Sequence, residues 1–290
     1  MRSLFAHILV ILVLLMPAAT LAGYKPAPLG TQQTPADPNS EEFQSIKIEE
    51  KLGQKLSINE LIFNDENGVE QSLSSYFRED GKPVVMVMMY HACPSLCSLL
   101  LNGVTEAMRK IEWNLGDQYR LLAVSINPKE TPQLALEKKA NYIKEYGRLG
   151  ASTENGWHFL TGTEPMIKKL TGELGFGYRY LPETEEYAHS AGFFVLTPDG
   201  EISRLFYGVQ FEPQDLKLSL MEASRGALGS IADKVLLFCY RYDPSSKGYS
   251  LQAMRLVQAG GALTFLVFGI YLAVFWTRQW RGSRSARKNI

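Results

Sequence analysis

Cys93-Pro94-Ser95-Leu96-Cys97 stands directly after an apolar run from Val84 to Tyr90. Two thiols four residues apart, where a buried strand ends, support three kinds of chemistry. They close a disulfide, exchange electrons, or hold a soft metal ion. The chain has 3 cysteines in all, so the pair is a local device and not part of a disulfide framework. Pro94 suits the first turn of a helix, where no amide hydrogen is needed. Cys93 then marks the helix start, and Cys97 follows one turn later on the same face. Unpaired amides and the helix dipole favour thiolate at that end. A structural disulfide across so short a step closes almost no chain and stabilises little.

The elements that must position this pair alternate. Pro83–Tyr90 reads as a strand buried on both faces. From Ser95 to Trp113 apolar residues recur at helical spacing, as Leu96, Leu99, Leu100, Val104, Met108 and Ile111. Tyr119–Ile126 is a second strand, and Thr131-Pro132 opens a helix running to Tyr146. Trp157–Leu160 is short and extended, and Glu164–Leu174 is helical. Gly192–Thr197 and Ile202–Tyr207 are strands joined at Pro198-Asp199-Gly200, a hairpin turn signature. Gln214–Ala223 closes as a helix. This order predicts an α/β domain with a mixed central sheet flanked by helices, the thioredoxin-like fold. Residues 150–177 are then an insertion.

A metal site needs a ligand beyond the two sulfurs, and the chain has 4 histidines. His7 lies in the N-terminal apolar segment. His158 is expected to be a strand residue with a satisfied ring. His91 stands two residues before Cys93 and is a candidate extra ligand. His189 immediately precedes the strand Gly192–Thr197. In a thioredoxin-like fold that loop faces the start of the first helix, so His189 can approach Cys93 and Cys97. A thiol–disulfide oxidoreductase usually carries Cys-x-x-Cys and a Pro before this strand. Here the residues are Ala188-His189-Ser190-Ala191. Two thiolates and one imidazole make a soft site of low coordination, suited to Cu(I) and able to hold Cu(II). Zinc stays open if His91 supplies a fourth ligand. Met86, Met88 and Met89 read as core, and Cys239 as a buried apolar thiol.

The chain ends carry their own signals. Residues 1–22 read as a signal peptide, with Arg2, an apolar run Ile8–Met16 and small residues up to Ala22. An uncleaved anchor through Ala22 is the alternative. Residues 23–42 form a Pro-rich linker, and the folded domain is expected over 43–225. A connector, 226–255, leads to the charge-free stretch 256–277, roughly 33 Å of helix and enough for one transmembrane span. Trp276 and Trp280 lie at its interfacial edge. The tail 278–290 carries Arg278, Arg281, Arg284, Arg287 and Lys288 without an acid. The positive-inside rule makes that tail cytoplasmic. The expected location is therefore a bacterial cytoplasmic membrane, single-pass, with the domain in the periplasm. Thirty basic residues balance 30 acidic ones, and no polybasic face points to nucleic acid.

Taken together in order, these motifs resemble the Sco/SenC family of membrane-anchored, copper-binding, thioredoxin-like proteins. The match covers roughly residues 50–225. It includes the Cys-Pro-x-x-Cys pattern and Ser125-Ile126-Asn127-Pro128 with Thr131-Pro132. Trp157-His158-Phe159-Leu160-Thr161-Gly162, Ala188-His189-Ser190 and Pro198-Asp199-Gly200 complete it. The resemblance implies copper, as Cu(I) or Cu(II), bound by Cys93, Cys97 and His189. It implies a metallochaperone, not a turnover enzyme, that helps assemble the copper centre of cytochrome c oxidase subunit II or serves another cuproprotein. Oxidation of the two cysteines would then eject copper. A thiol–disulfide reductase or redox sensor acting through Cys93 and Cys97 is the alternative. Asn127 and Ala188 stand where the family usually has Asp, and Ser98 where it often has Pro. Many members also hold the membrane by an N-terminal helix.

Overall fold

The structure, a computed structural model, describes residues 44–77, 80–93, 96–148, 150–225, 240–243, 248–251 and 253–286. The expected signal peptide and linker, Pro94, Ser95 and Cys239 lie outside these residues. The first two strands form a small hairpin, β1 (Ile62–Asn64) and β2 (Glu70–Ser72), which the sequence reading did not anticipate. It turns at Asp65, whose carboxylate accepts from the amides of Asn67 and Val69 at 2.9 and 2.8 Å.

β3 (Val84–Met89) is buried at every position, as its unbroken apolar sequence requires of a central strand. Met86, Met88 and Met89 are core residues, each 0% exposed. α1 (Leu96–Lys110) follows, then β4 (Arg120–Ser125) and α2 (Pro132–Tyr146). Thr131 caps α2 by accepting from the Leu134 amide, and Gly147 ends it in the left-handed conformation at φ +74°. That geometry favours glycine because a Cβ would clash. α3 (Ala151–Gly156) and β5 (Trp157–Leu160) come next, followed by α4 (Glu164–Leu174). A second hairpin not read from the sequence, β6 (Tyr178–Leu181) and β7 (Glu186–His189), stands before β8 (Gly192–Leu196). β9 (Ile202–Tyr207) and α5 (Pro213–Ala223) complete the domain.

The main sheet has the order β5-β4-β3-β8-β9. β3, β4 and β5 run parallel, and β8 pairs antiparallel with both β3 and β9. This is the mixed sheet expected of a thioredoxin-like domain. α1 packs against both α2 and α5. Gly103, midway along α1, lets the loop between β9 and α5 come close, because a Cβ there would lie 2.0 Å from the Val209 carbonyl oxygen. Beside β5, Trp157 stacks on Phe159 with ring centroids 5.8 Å apart.

Past the domain, β10 (Tyr240–Asp243) pairs with β11 (Gly248–Leu251), and α6 runs from Ala253 to Ala286. The helix continues beyond the expected limit at Thr277, since no proline interrupts 278–286. Side chains are described on residues 260–276, where Leu263, Phe265, Phe268, Tyr271 and Trp276 are all exposed. Among the described residues no helix is long and apolar enough to cross a membrane.

A buried carboxylate ties the first hairpin to the sheet edge. Glu66 accepts from the Phe159 amide at 3.2 Å, pairs with Lys139, and lies 3.3 Å from His158 Nδ1. Burial by itself would raise its pKa. The interactions with His158 and Lys139 overcome that and bring it to about 2, against an ordinary 4.5. Because the folded value is the lower one, this stabilisation is complete above the unfolded value and disappears as pH falls through the folded value. We expect wild type to lose about 2 kcal/mol relative to Glu66→Gln between about pH 4.5 and pH 2, after allowance for solvent screening. Urea unfolding of both proteins across that range measures the difference.

Candidate metal centre

The thiol pair lies where β3 ends and α1 begins, at the carboxyl end of the central strands. Cys93 closes a turn by donating its amide to the Tyr90 carbonyl at 3.2 Å. Its Sγ accepts from the Cys97 amide at 3.3 Å, so the sulfur caps the first turn of α1. Ser98 Oγ donates to the Cys93 carbonyl at 3.2 Å. Both cysteines are buried thiols, not joined to one another.

His189 arrives from the second hairpin as the last residue of β7 and is 6% exposed. Its Nε2 lies 3.1 Å from Cys97 Sγ. Its Nδ1 lies 3.0 Å from the Ser190 carbonyl oxygen, which accepts only if Nδ1 carries the proton. That assignment leaves the Nε2 lone pair facing the sulfur. Phe176 supports the ring, with centroids 5.6 Å apart.

The electrostatics are those of a dry site. The helix start predicts a thiol pair with lowered pKa. Cys97 instead has its thiol pushed up, first by its hydrogen bond with Cys93 and then by burial. Burial likewise lowers the His189 imidazole below its ordinary value, against the opposing bond to Ser190. Cys97 and His189 therefore rest as thiol and neutral imidazole. Two sulfurs and one lone-pair nitrogen are the soft donors that fit copper, which would displace the thiol protons.

Among the described residues, no three His, Cys, Asp or Glu side chains already stand in metal-holding geometry. Distance explains this. Ligands at about 2.0–2.3 Å from one ion lie about 3.5–4 Å from each other. The 3.1 Å contact between Cys97 and His189 is a thiol–imidazole hydrogen bond, and must open by about half an ångström to admit an ion.

His91 is placed elsewhere. It is 1% exposed, its Nε2 is 3.2 Å from the Leu160 carbonyl oxygen, and its ring sits 5.5 Å from Phe159. It faces β5, whereas His189 approaches from the β8 side. His158 lies at the Glu66 cluster, with Nε2 3.1 Å from the Asn155 carbonyl oxygen.

A family model of the SCO1/SenC proteins matches residues 61–222. The chain belongs to the SCO1/SenC family. Its relatives include the SCO1 protein homolog of Bacillus subtilis (strain 168), 24% identical over 156 residues, covering 53% of this chain and 75% of that protein. A crystal structure from Aquifex aeolicus VF5 has the same fold, with a TM-score of 0.50 at 22% identity, covering 61% of this chain and 95% of that one. Arabidopsis thaliana ScoI, solved with copper bound, is 19% identical with a TM-score of 0.45, over 60% of this chain and 98% of that one.

One residue of this SCO1/SenC site escaped the sequence reading. Glu130 accepts from the amides of His91 and Ala92, both at 2.7 Å, and from Ser125 Oγ at 2.6 Å. It clamps the two residues ahead of Cys93 to the exit of β4. In sequence Glu130 looks like an ordinary residue before a helix cap. The only signal was its place between Ser125-Ile126-Asn127-Pro128 and Thr131-Pro132. Asn127 fills a nearby role, its Oδ1 accepting from the Lys129 amide at 3.0 Å and from the Tyr187 hydroxyl at 3.5 Å. We expect Glu130→Ala to lose about 2–3 kcal/mol, because two amides and a hydroxyl lose a charged acceptor. Glu130→Gln, which keeps one acceptor oxygen, should lose less. Urea unfolding under reducing conditions tests the order.

Proposed function

We propose that this chain is a membrane-tethered copper chaperone that carries one copper ion on Cys93, Cys97 and His189. The observation that carries the reading is the orientation of His189. Nδ1 is tied to the Ser190 carbonyl, and Nε2 is aimed at Cys97 Sγ. An imidazole with a fixed tautomer, whose second nitrogen meets a thiol, is organised for a metal. Burial in an apolar pocket keeps water and hard ligands away, which suits Cu(I).

Loading consumes both sulfurs as thiolates, and two protons leave as the ion enters. Oxidation of the pair to a disulfide removes two electrons and both thiolates, so the ion is released. The acceptor we assign is the copper centre of cytochrome c oxidase subunit II or another cuproprotein, in keeping with the family's link to oxidase assembly. The location proposed is the bacterial cytoplasmic membrane, with the domain periplasmic and residues 278–290 cytoplasmic. Support comes from the charge-free stretch 256–277, its basic flank and the exposed apolar side chains of α6. Sharing a membrane with the acceptor raises the effective concentration of the pair.

Reduced full-length protein should bind Cu(I) one-to-one, and His189→Ala should weaken binding by at least about a hundredfold. Competition against a chelator of known affinity reads both. Binding indifferent to His189 would sink the copper reading. If the mutant still reduces a disulfide substrate at the wild-type rate while wild type holds no copper, the protein is a thiol–disulfide reductase.

A further inference from the structure

His189 is not held by its own hairpin alone. Residues 46–49, ahead of the first strand, lie against its surroundings as a strap. The Ile46 carbonyl accepts twice from Ser190, from its amide at 3.3 Å and from its Oγ at 2.8 Å. Those bonds use both lone pairs of the oxygen. Ser190 in turn presents its own carbonyl to His189 Nδ1 at 3.0 Å. Ile48 is buried and bridges antiparallel to Phe176, whose ring supports His189. The Gly177 amide donates to the Lys47 carbonyl at 3.1 Å, and the Glu49 amide to the Gly175 carbonyl at 2.8 Å. Both supports of the imidazole, one polar and one aromatic, are fastened to the same short segment.

The contact is backbone against backbone. A Cβ on Gly177 would stand 2.6 Å from the carbonyl oxygens of both Lys47 and Ser45, so alanine there forces the segment outward. The strap is not what brings a histidine near the sulfurs, because the pairing of β7 with β6 and of β8 with β3 does that. What the strap adds is orientation. The imidazole can turn about its side-chain bonds. Which nitrogen faces Cys97 depends on where the Ser190 carbonyl is held.

We propose that Ser190 and the strap 46–49 form a clamp that orients His189 for copper, with Ser190 Oγ as the positioning group. The inference rests on the copper reading for its biological sense. With the clamp closed, Nδ1 keeps the proton and Nε2 offers its lone pair to the ion. With the clamp open, the Ser190 carbonyl swings, the ring tilts and its nitrogens lose their fixed roles. The ion then meets two sulfurs and an ill-placed third ligand.

The test uses reduced full-length protein whose histidine rings carry an isotopic nitrogen label read by NMR. The His189 signals are identified by their loss in His189→Ala. Copper-free wild type should show one His189 tautomer, protonated at Nδ1. Ser190→Ala and Gly177→Ala should each give a mixture of tautomers. Each should also weaken Cu(I) binding by about tenfold or more at unchanged stoichiometry. Ser190→Thr, which keeps the hydroxyl, should restore both readings. Where Gly177→Ala fails to fold, the two Ser190 variants decide by themselves. Either reading left at its wild-type value in Ser190→Ala overturns the proposal. Ser190→Thr as impaired as Ser190→Ala also overturns it, since the hydroxyl is then not the agent. If wild type itself holds no copper, the copper reading fails, and the tautomer alone decides whether the clamp orients His189.

Discussion

Cys97 Sγ and His189 Nε2 meet at 3.1 Å in the protein interior, although 92 positions separate them. The pairing of β8 with β3 makes this contact. β3 delivers the thiols at its carboxyl end, and β8 runs antiparallel beside it, so β8 begins where β3 finishes. The residues just before Gly192 are therefore held next to the start of α1. The β6–β7 hairpin then sets the ring, because His189 is registered against Tyr178. Nothing nearer in sequence supplies an imidazole to that spot, as His91 is turned toward β5.

Burial decides what this contact does. In water a thiol near a helix start ionises easily, and an imidazole shares protons near neutral pH. Inside the domain both charged forms lose hydration, and the contact rests as two neutral groups. A soft cation is the partner that restores charge to both sulfurs without needing water. The same dryness requires the backbone of the loop to be satisfied locally. Glu130 does this for two successive amides ahead of Cys93.

Much of the architecture was legible because its signals are local. The apolar run Val84–Met89, the Thr131-Pro132 start, the helix Glu164–Leu174 and the turn Pro198-Asp199-Gly200 each announce one element. The hairpins β1–β2 and β6–β7 were not legible. Their strands are three or four residues long and only partly buried, so no clear alternation marks them. Glu130 was missed for a different reason. Its partners are backbone amides 38 and 39 residues away, and backbone groups carry no sequence label. For Cys97 the expected ease of ionisation did not hold, because the helix dipole is readable from Pro94 while the surrounding burial and the bond to Cys93 are not.

The sequence by itself determined the donors, their soft character and the order of strands that could unite them. Those follow from residue type and from patterns of two or four residues, which local sterics and apolar burial enforce. Only the tertiary structure decided which histidine meets the sulfurs, which of its nitrogens faces them, and in which protonation state they rest. It also decided that the Tyr187 ring packs against Tyr90 beside the site. Each of these depends on strand register and on desolvation by residues distant in the chain. Neither quantity exists until the sheet has closed.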